Sequence, residues 1–323
     1  MIKVLANIGA HSPEFAEPAD LPRLMAAPNG LTWVDIESPD EAEASLLADV
    51  FHFHPLTIED CLNDEVDPPK VDDYDSYLFA IIQAIDFSAS EETLVTTELN
   101  LYLGPNYLVT VHKRPLPALG QVLTNCQRNH PMTTRGADWL MHSVLDELVD
   151  QLLPVLEAMD EDMSGLEDRA LVKPTRELVE RMSQLKRSTL RLRWLVAPQR
   201  EVMNRLARGD FGRLIRAETY PYYRDVYDHL VRMDSMVEDL RDMGESVLAV
   251  HLATQNNRLN EVMKALGIVG VIFLPLTLIS GVFGTNFDST YMDSQWLGFG
   301  LMCGSFVAIA AFMLAWFKKR GWF

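Results

Sequence analysis

The sequence predicts a mixed α/β domain that is followed by long helices, the last two of which cross a membrane. Three observations predict this fold. Short β-branched and aromatic segments alternate with helix starts up to about residue 130, and a helical period replaces them after Pro131. Near the C-terminus, two segments of 23 and 24 residues, 265–287 and 294–317, carry no charge. Each is long enough to cross roughly 30 Å of hydrocarbon as a helix.

The first domain, residues 1–130, is predicted to be a cytoplasmic α/β domain. Strands are expected at 32–36, 77–82, 98–103 and 107–111, where β-branched and aromatic residues lie between turn residues. One helix is expected to begin at Ser38, with Pro39 at its first position and acids in its first turn, and another is expected to begin at Pro55.

Residues 131–220 are predicted to form a cytoplasmic helical hairpin. Its first helix is expected to run from Asp138 to Leu171 with a bend at Pro154, and its second from Pro174 towards Leu206. The first arm is acidic and the second is basic. Because exposed ion pairs contribute only about 0–1 kcal/mol each, apolar packing must hold the pair together.

Residues 221–283 are predicted to form one long stalk helix that continues into the membrane. Pro221 is suited to a helix start, and no proline occurs from Tyr222 to Leu274. At about 1.5 Å per residue this stretch would be roughly 80 Å long. A single subunit of this size needs no such rod for its own core, whereas a coiled coil or a multi-subunit funnel does.

The charges around the two uncharged segments predict the topology. The connecting loop, 284–295, contains Asp288 and Asp293 but no Lys or Arg, whereas the tail after the second membrane helix (296–317), residues 318–323, contains Lys318, Lys319 and Arg320. The positive-inside rule therefore places the tail in the cytoplasm, and two crossings place the N-terminal domain there too. We expect an integral protein of the inner or plasma membrane.

One face of the stalk helix is predicted to line a pore. Its residues are polar, small or flexible and recur in steps of three, four and seven: Asn256, Asn260, Met263, Gly267, Gly270, Leu274 and Gly281. Close packing of small residues is the alternative explanation for the glycines. The two amides fit packing less well, because an unpaired amide at a membrane entrance is costly unless it faces water.

Composition excludes several other classes of protein. The formal net charge of −18 is too negative for a nucleic-acid-binding protein. The three cysteines lie far apart in the sequence and have no metal-ligand spacing. No catalytic motif is present, so we expect no enzymatic activity and no cofactor.

Three segments of the long helix carry a recognisable pattern: residues 222–230 (YYRDVYDHL), 257–264 (NRLNEVMK) and 273–281 (FLPLTLISG). They resemble the CorA family of divalent metal transporters. Upstream, residues 54–60 (HPLTIED) and 153–157 (LPVLE) are similar to the soluble domain of the same family. The resemblance covers essentially the whole chain.

The resemblance implies a homopentameric funnel in membrane lipid, in which copies of the long helix surround one pore. Its substrates would be divalent cations (Mg²⁺, Co²⁺ or Zn²⁺), which would also be possible regulators. Gly284, Thr285 and Asn286 would form the selectivity mouth, with Asn260 as a polar ring and Met263 as part of an apolar gate. Asp288 and Asp293 would attract cations to the mouth. Neutral oxygen ligands suit a partly hydrated hard cation.

Two departures from the family pattern leave alternatives open. Thr285 stands where the magnesium branch has Met, and the ZntB zinc branch also replaces that residue, so Mg²⁺ and Zn²⁺ both remain candidates. The direction of transport and any proton coupling are also left open. Asp225 matches a regulatory metal position, with Asp86 as a possible partner, but Ala249 replaces another expected acid. A membrane-anchored metal sensor or scaffold with a non-conducting pore is the second hypothesis.

Overall fold

The computed structural model describes residues 1–8, 13–27, 30–63, 66–85, 96–128, 134–172, 175–284 and 295–322. The chain divides into two compact units, Met1–Val247 and Leu248–Phe323. Thr285, Asn286, Asp288, Asp293 and Asp86, all singled out above, lie outside the described residues. Their assigned roles stay predictions.

A seven-stranded mixed sheet forms the centre of the first unit. Its strands are β1 (Ile2–Ile8), β2 (Glu14–Ala16), β3 (Gly30–Glu37), β4 (Lys70–Asp73), β5 (Leu78–Ile85), β6 (Thr96–Leu103) and β7 (Tyr107–His112). They lie in the order β2-β1-β3-β7-β6-β5-β4. Only β3 and β7 pair in parallel, and the other pairs are antiparallel.

The four predicted strands correspond to β3, β5, β6 and β7. They are the most buried strands, so their sequences are the most apolar. β2 and β4 were not predicted, because they are short edge strands with charged residues. β1 was not predicted either, although it pairs with β3 along its whole length.

Short helices flank the sheet: α1 (Leu21–Met25), which follows a 3₁₀ turn at Pro18–Asp20, α2 (Glu41–Asp49), α3 (Pro55–Leu62) and α4 (Pro117–Arg128). The predicted start at Pro55 is confirmed. The predicted start at Ser38 is wrong, because Asp40 is the capping residue of α2. The Asp40 carboxylate accepts from the Glu43 backbone N–H at 2.7 Å, and the Glu43 carboxylate accepts from the Asp40 N–H.

The first arm of the hairpin is two helices, α5 (Ala137–Asp150) and α6 (Leu153–Val172), rather than one bent helix. The Leu152 N–H donates to the Val149 carbonyl at 2.9 Å, which tightens the end of α5 into a turn. Pro154, which has no N–H, then lies in the first turn of α6, where no intrahelical donor is needed. The second arm, α7 (Arg176–Arg208), is capped by the Thr175 side chain.

The long predicted helix is confirmed as α8 (Tyr220–Gly284), which contains 65 residues and continues past Pro275. The second unit also contains α9 (Gln295–Lys319). Among the described residues, α8 and α9 are the two helices long and apolar enough to cross a membrane.

Buried side chains cover both faces of the sheet. Successive residues alternate between the faces: Leu101 packs with the long helices, and Tyr102 packs with residues of α1, α2 and α3. Both side chains are fully buried. The first face is continuous with the packing of α5, α6, α7 and the N-terminal part of α8. One core therefore joins the sheet to the part of the long helix that belongs to this unit.

Candidate cation pathway and metal-binding cluster

The predicted pore-lining residues lie along the C-terminal half of α8, and most of them are exposed on the single chain. Met263 and Leu274 are 66% and 73% exposed. The two amides, Asn256 and Asn260, are exposed as well, whereas Gly267 is half-buried. Large exposed apolar side chains on a helix need a lipid or protein partner.

Further along α8, the exposed face forms an open groove of about 780 Å³. Three of the predicted pore-lining residues line it: Gly270, Leu274 and Gly281. The other lining residues are Phe273, Thr277, Leu278 and Val282. Thr277 is the polar side chain of this set. Its hydroxyl donates to the Phe273 carbonyl at 2.8 Å, which leaves the oxygen lone pairs available as acceptors.

Sequence reasoning missed Thr277, although the spacing could have identified it. The predicted residues step by seven from Leu274 to Gly281. The earlier members of the set are separated by alternating steps of three and four residues. The same alternation continued from Leu274 gives Thr277 and then Gly281. Gly284 is the last described residue of α8 and is exposed.

A second group of candidate ligands lies in the first unit, between α5 and α8. Asp146 and Asp150 are one turn apart on α5, and His229 faces them from α8. His229 Nδ1 lies 3.6 Å from Asp150 Oδ1. One ligand atom from each of the three residues lies within 4.8 Å of the other two. Two carboxylates and an imidazole at this separation can bind a divalent cation.

The charges of this cluster are mutually unfavourable without a cation. The pKa of Asp146 is raised to about 6, chiefly by burial and also by the neighbouring carboxylates of Asp150 and Asp225, while His229 opposes the rise. The pKa of the carboxyl group rises because its charged form is poorly solvated and is close to like charges. A bound divalent cation would stabilise the charged carboxylate and offset both the poor solvation and the repulsion.

His142 lies one turn before Asp146 on α5. Its Nδ1 atom is buried and has no hydrogen-bond partner among the described residues. Burial lowers the pKa of His142, and a hydrogen bond with the Tyr222 backbone and the charge of Asp225 oppose this shift only in part. The charge of Asp225, the predicted regulatory residue, therefore affects the pKa of both His142 and Asp146 on α5.

The sequence pattern contains a signal for this cluster that was not used. Asp146 and Asp150 are spaced i, i+4, and Asp225 and His229 have the same spacing. Each pair therefore occupies one face of its helix. The sequence does not reveal that the two faces are opposed, because that depends on the packing of α5 on α8.

Residues 28–319 match the family model described as "CorA-like Mg2+ transporter protein". The chain belongs to the CorA family. It is 34% identical to the putative metal ion transporter YfjQ of Bacillus subtilis, over 90% of this chain and 89% of the relative. It is also 34% identical to the cobalt/magnesium transport protein CorA of Thermotoga maritima, over 90% of this chain and 83% of that protein.

More distant comparisons extend to the zinc transporters and to a solved structure. Identity to the zinc transport protein ZntB of Klebsiella pneumoniae is 26%, over 83% of this chain and 81% of that protein. The complete structure of the CorA magnesium transporter from Methanocaldococcus jannaschii superimposes with a TM-score of 0.86, at 22% identity, covering 99% of this chain and 98% of the other. The predicted CorA-like fold, the membrane location and the expectation of a transporter rather than an enzyme are confirmed.

Proposed function

We propose that this CorA-family protein moves divalent metal cations across the membrane through a homopentameric pore lined by the exposed face of α8. The observation that carries the proposal is the spacing of four, three and four that places Asn256, Asn260, Met263 and Gly267 on one face of α8, where the three side chains are exposed on the single chain. Asn256 and Asn260 precede Lys264, so they lie at the cytoplasmic entrance of the membrane segment, where an amide keeps its hydrogen bonds only if it faces water. A water-filled pore on an axis shared by several copies of the chain would preserve those hydrogen bonds.

The chemistry of the lining favours a hydrated hard cation. Its described polar groups are the amides of Asn256 and Asn260 and the hydroxyl of Thr277, all of which offer neutral oxygens. Neutral oxygens can accept from the water shell of Mg²⁺, which releases water reluctantly. The lining contains no His or Cys among its described members, and these are the residues that zinc sites favour.

We therefore propose Mg²⁺ and Co²⁺ as the preferred substrates and Zn²⁺ as the second candidate. The greater identity to the cobalt/magnesium protein than to the zinc protein supports this order. Thr285, outside the described residues, is the reason to keep zinc as a candidate, since the zinc branch that the sequence also resembles replaces the same Met of the predicted mouth.

We further propose that the cluster around Asp225 binds the same cations as regulators. Asp146, Asp150 and His229 supply ligands there, and cation binding would relieve the repulsion that raises the pKa of Asp146. Since Asp225 and His229 belong to the same helix as the pore face, a bound cation would bias the conformation of that helix.

Cation flux into proteoliposomes tests the pore directly. Asn260→Ala is expected to lower Mg²⁺ or Co²⁺ entry roughly tenfold, comparable to the loss of one hydrogen bond to a charged species. Asn257→Ala is the matched control, because Asn257 is an exposed amide on the same helix outside the predicted lining. Equal flux in both variants would contradict the proposed lining.

Parallel uptake of Mg²⁺, Co²⁺, Ni²⁺ and Zn²⁺, with and without a pH gradient, tests ion identity. Zinc uptake alone, at a rate that follows the gradient, would overturn the magnesium assignment. Metal-dependent conformational change without flux of any of these ions would favour the sensor or scaffold instead.

A further inference from the structure

The C-terminal end of α9 is an ordered cap. Gly321 has a φ of 72°, the left-handed conformation that glycine adopts most readily. Its N–H donates to the Lys318 carbonyl at 3.1 Å, and the Trp322 N–H donates to the Phe317 carbonyl at 3.0 Å. This pair of bonds is a Schellman motif, and the contact between the Trp322 and Phe317 rings, 5.1 Å apart, is the hydrophobic contact that accompanies it.

The cap is attached to the pore helix by Lys264. The Lys264 ammonium donates to the Gly321 carbonyl at 3.3 Å and lies 5.9 Å from the centre of the Trp322 ring. Phe317 beneath the cap is only 2% exposed. The end of α9 is therefore held against α8 at the residue where the uncharged segment of α8 begins.

Four cations gather around this contact: Lys264, Lys318, Lys319 and Arg320. We call them the basic cluster. Lys318, Lys319 and Arg320 are exposed, and the Arg320 guanidinium lies 5.0 Å from the centre of the Trp316 ring. In the part of the chain that the structure describes, no carboxylate lies within 4.0 Å of any of the four.

The position of the basic cluster determines what can neutralise it. The uncharged segment 265–287 begins directly after Lys264, and the segment 294–317 ends directly before Lys318. The basic cluster therefore lies at the depth of the lipid headgroups. Trp316 and Trp322, 46% and 39% exposed, are typical of the membrane–water interface. Because the whole chain has a net charge of −18, this local positive surface contrasts with the rest of the protein. Anionic lipids are the anions concentrated at that depth.

We propose that the basic cluster binds the phosphate headgroup of an anionic phospholipid in the cytoplasmic leaflet. The headgroup contacts the exposed cations of the cap, while Trp316 and Trp322 pack beside its glycerol region. Since Lys264 ties the cap to α8, the bound lipid strengthens the contact between the two membrane helices. The proposal requires only that α8 and α9 cross the membrane, so it stands apart from the identity of the transported ion.

The experiment measures lipid binding to the full-length protein in mixed-lipid nanodiscs. Quenching of tryptophan fluorescence by brominated phosphatidylglycerol is compared with quenching by brominated phosphatidylcholine. The wild-type protein is expected to prefer phosphatidylglycerol by about tenfold or more, given the typical contribution of each cation at the surface. Equal quenching by the two lipids would overturn the proposal, and this comparison needs no variant.

Variants then assign the preference to residues. The double substitution Lys318→Gln with Arg320→Gln is expected to remove most of the preference, whereas the charge-conserving Lys318→Arg with Arg320→Lys is expected to keep it. A preference that survives the Gln variant would overturn the assignment. Inorganic phosphate added to the nanodiscs separates the two sources of phosphate: if millimolar phosphate abolishes the preference, the cluster is a site for the soluble anion and the lipid proposal fails.

Discussion

Asp146→Asn is expected to stabilise the metal-free protein at neutral pH and to weaken its stabilisation by divalent cations. The substitution removes one charge from the cluster of Asp146, Asp150 and His229, which is also close to the charge of Asp225, and keeps the size of the side chain. The amide can still offer one oxygen to a cation, so the change is mainly electrostatic.

The magnitude follows from the pKa of Asp146, which rises from its ordinary value of 3.8 to about 6 in the folded protein. In full, such a rise corresponds to roughly 3 kcal/mol. Because Asp146 is only half-buried, solvent screening reduces this to about 1 kcal/mol. A group with a raised pKa contributes stability that is complete below pH 3.8 and is lost as the pH rises through 6. The variant should therefore exceed the wild type above pH 6 and equal it near pH 4.

Thermal unfolding of the full-length protein in detergent, with a chelator, measures this difference. About 1 kcal/mol corresponds to a rise in Tm of roughly 2–4 °C. Asp160→Asn, an exposed acid on α6, is the control and should leave Tm unchanged. When Mg²⁺ replaces the chelator, the wild type should gain more than the variant. A variant that is less stable than wild type at pH 7.5, or that gains equally from Mg²⁺, would refute the assigned repulsion and the cation site.

Three further predictions concern the first unit. Asp35→Asn should cost roughly 3 kcal/mol of unfolding free energy at pH 6 and about 1 kcal/mol at pH 9 in denaturant titrations. His112 Nε2 lies 3.1 Å from the buried Asp35 carboxylate. Burial lowers the pKa of His112, but the hydrogen bond to Asp35, the charge of Asp35, the bond to the Arg114 carbonyl and the charge of Glu37 together raise it by more. The charged pair is therefore lost as the pH rises through that raised pKa, and an equal cost at both pH values would contradict this account. Gly209→Ala should cost about 1–2 kcal/mol, because Gly209 has a φ of 84° and an added Cβ would lie 3.0 Å from the Tyr220 ring. Gly120→Ala, inside α4 with no atom within 4 Å of the added Cβ, should instead stabilise by up to about 1 kcal/mol, and melting curves that move in the same direction for both glycine variants would count against this reasoning.

Local patterns were sufficient for the elements whose surroundings are uniform. The buried strands β5, β6 and β7 are apolar along their length, and α8 has no proline from Tyr222 to Leu274, so composition alone identified them. Composition did not identify the edge strand β4, because one side of an edge strand faces water and its residues are therefore less apolar. The break between α5 and α6 was not predicted either, since Pro154 is compatible both with a bend inside one helix and with the first turn of a new helix.

The functional residues divide in the same way. Asn260 and Met263 could be placed on one face of α8 because a helix converts sequence spacing into direction without help from other segments. The i, i+4 spacing of Asp146 and Asp150 indicates one shared helix face, but their meeting with His229 could not be predicted, because the two helices are about 80 residues apart in the sequence.

Length and charge placement in the sequence were therefore enough to determine the membrane helices, and helical spacing was enough to predict the face that bears Asn256 and Asn260, since each depends on a single segment and its solvent. The tertiary structure alone decided which carboxylates meet an imidazole and that Lys264 holds the end of α9. Contacts between distant segments depend on how whole faces pack, and local pattern carries no information about that packing.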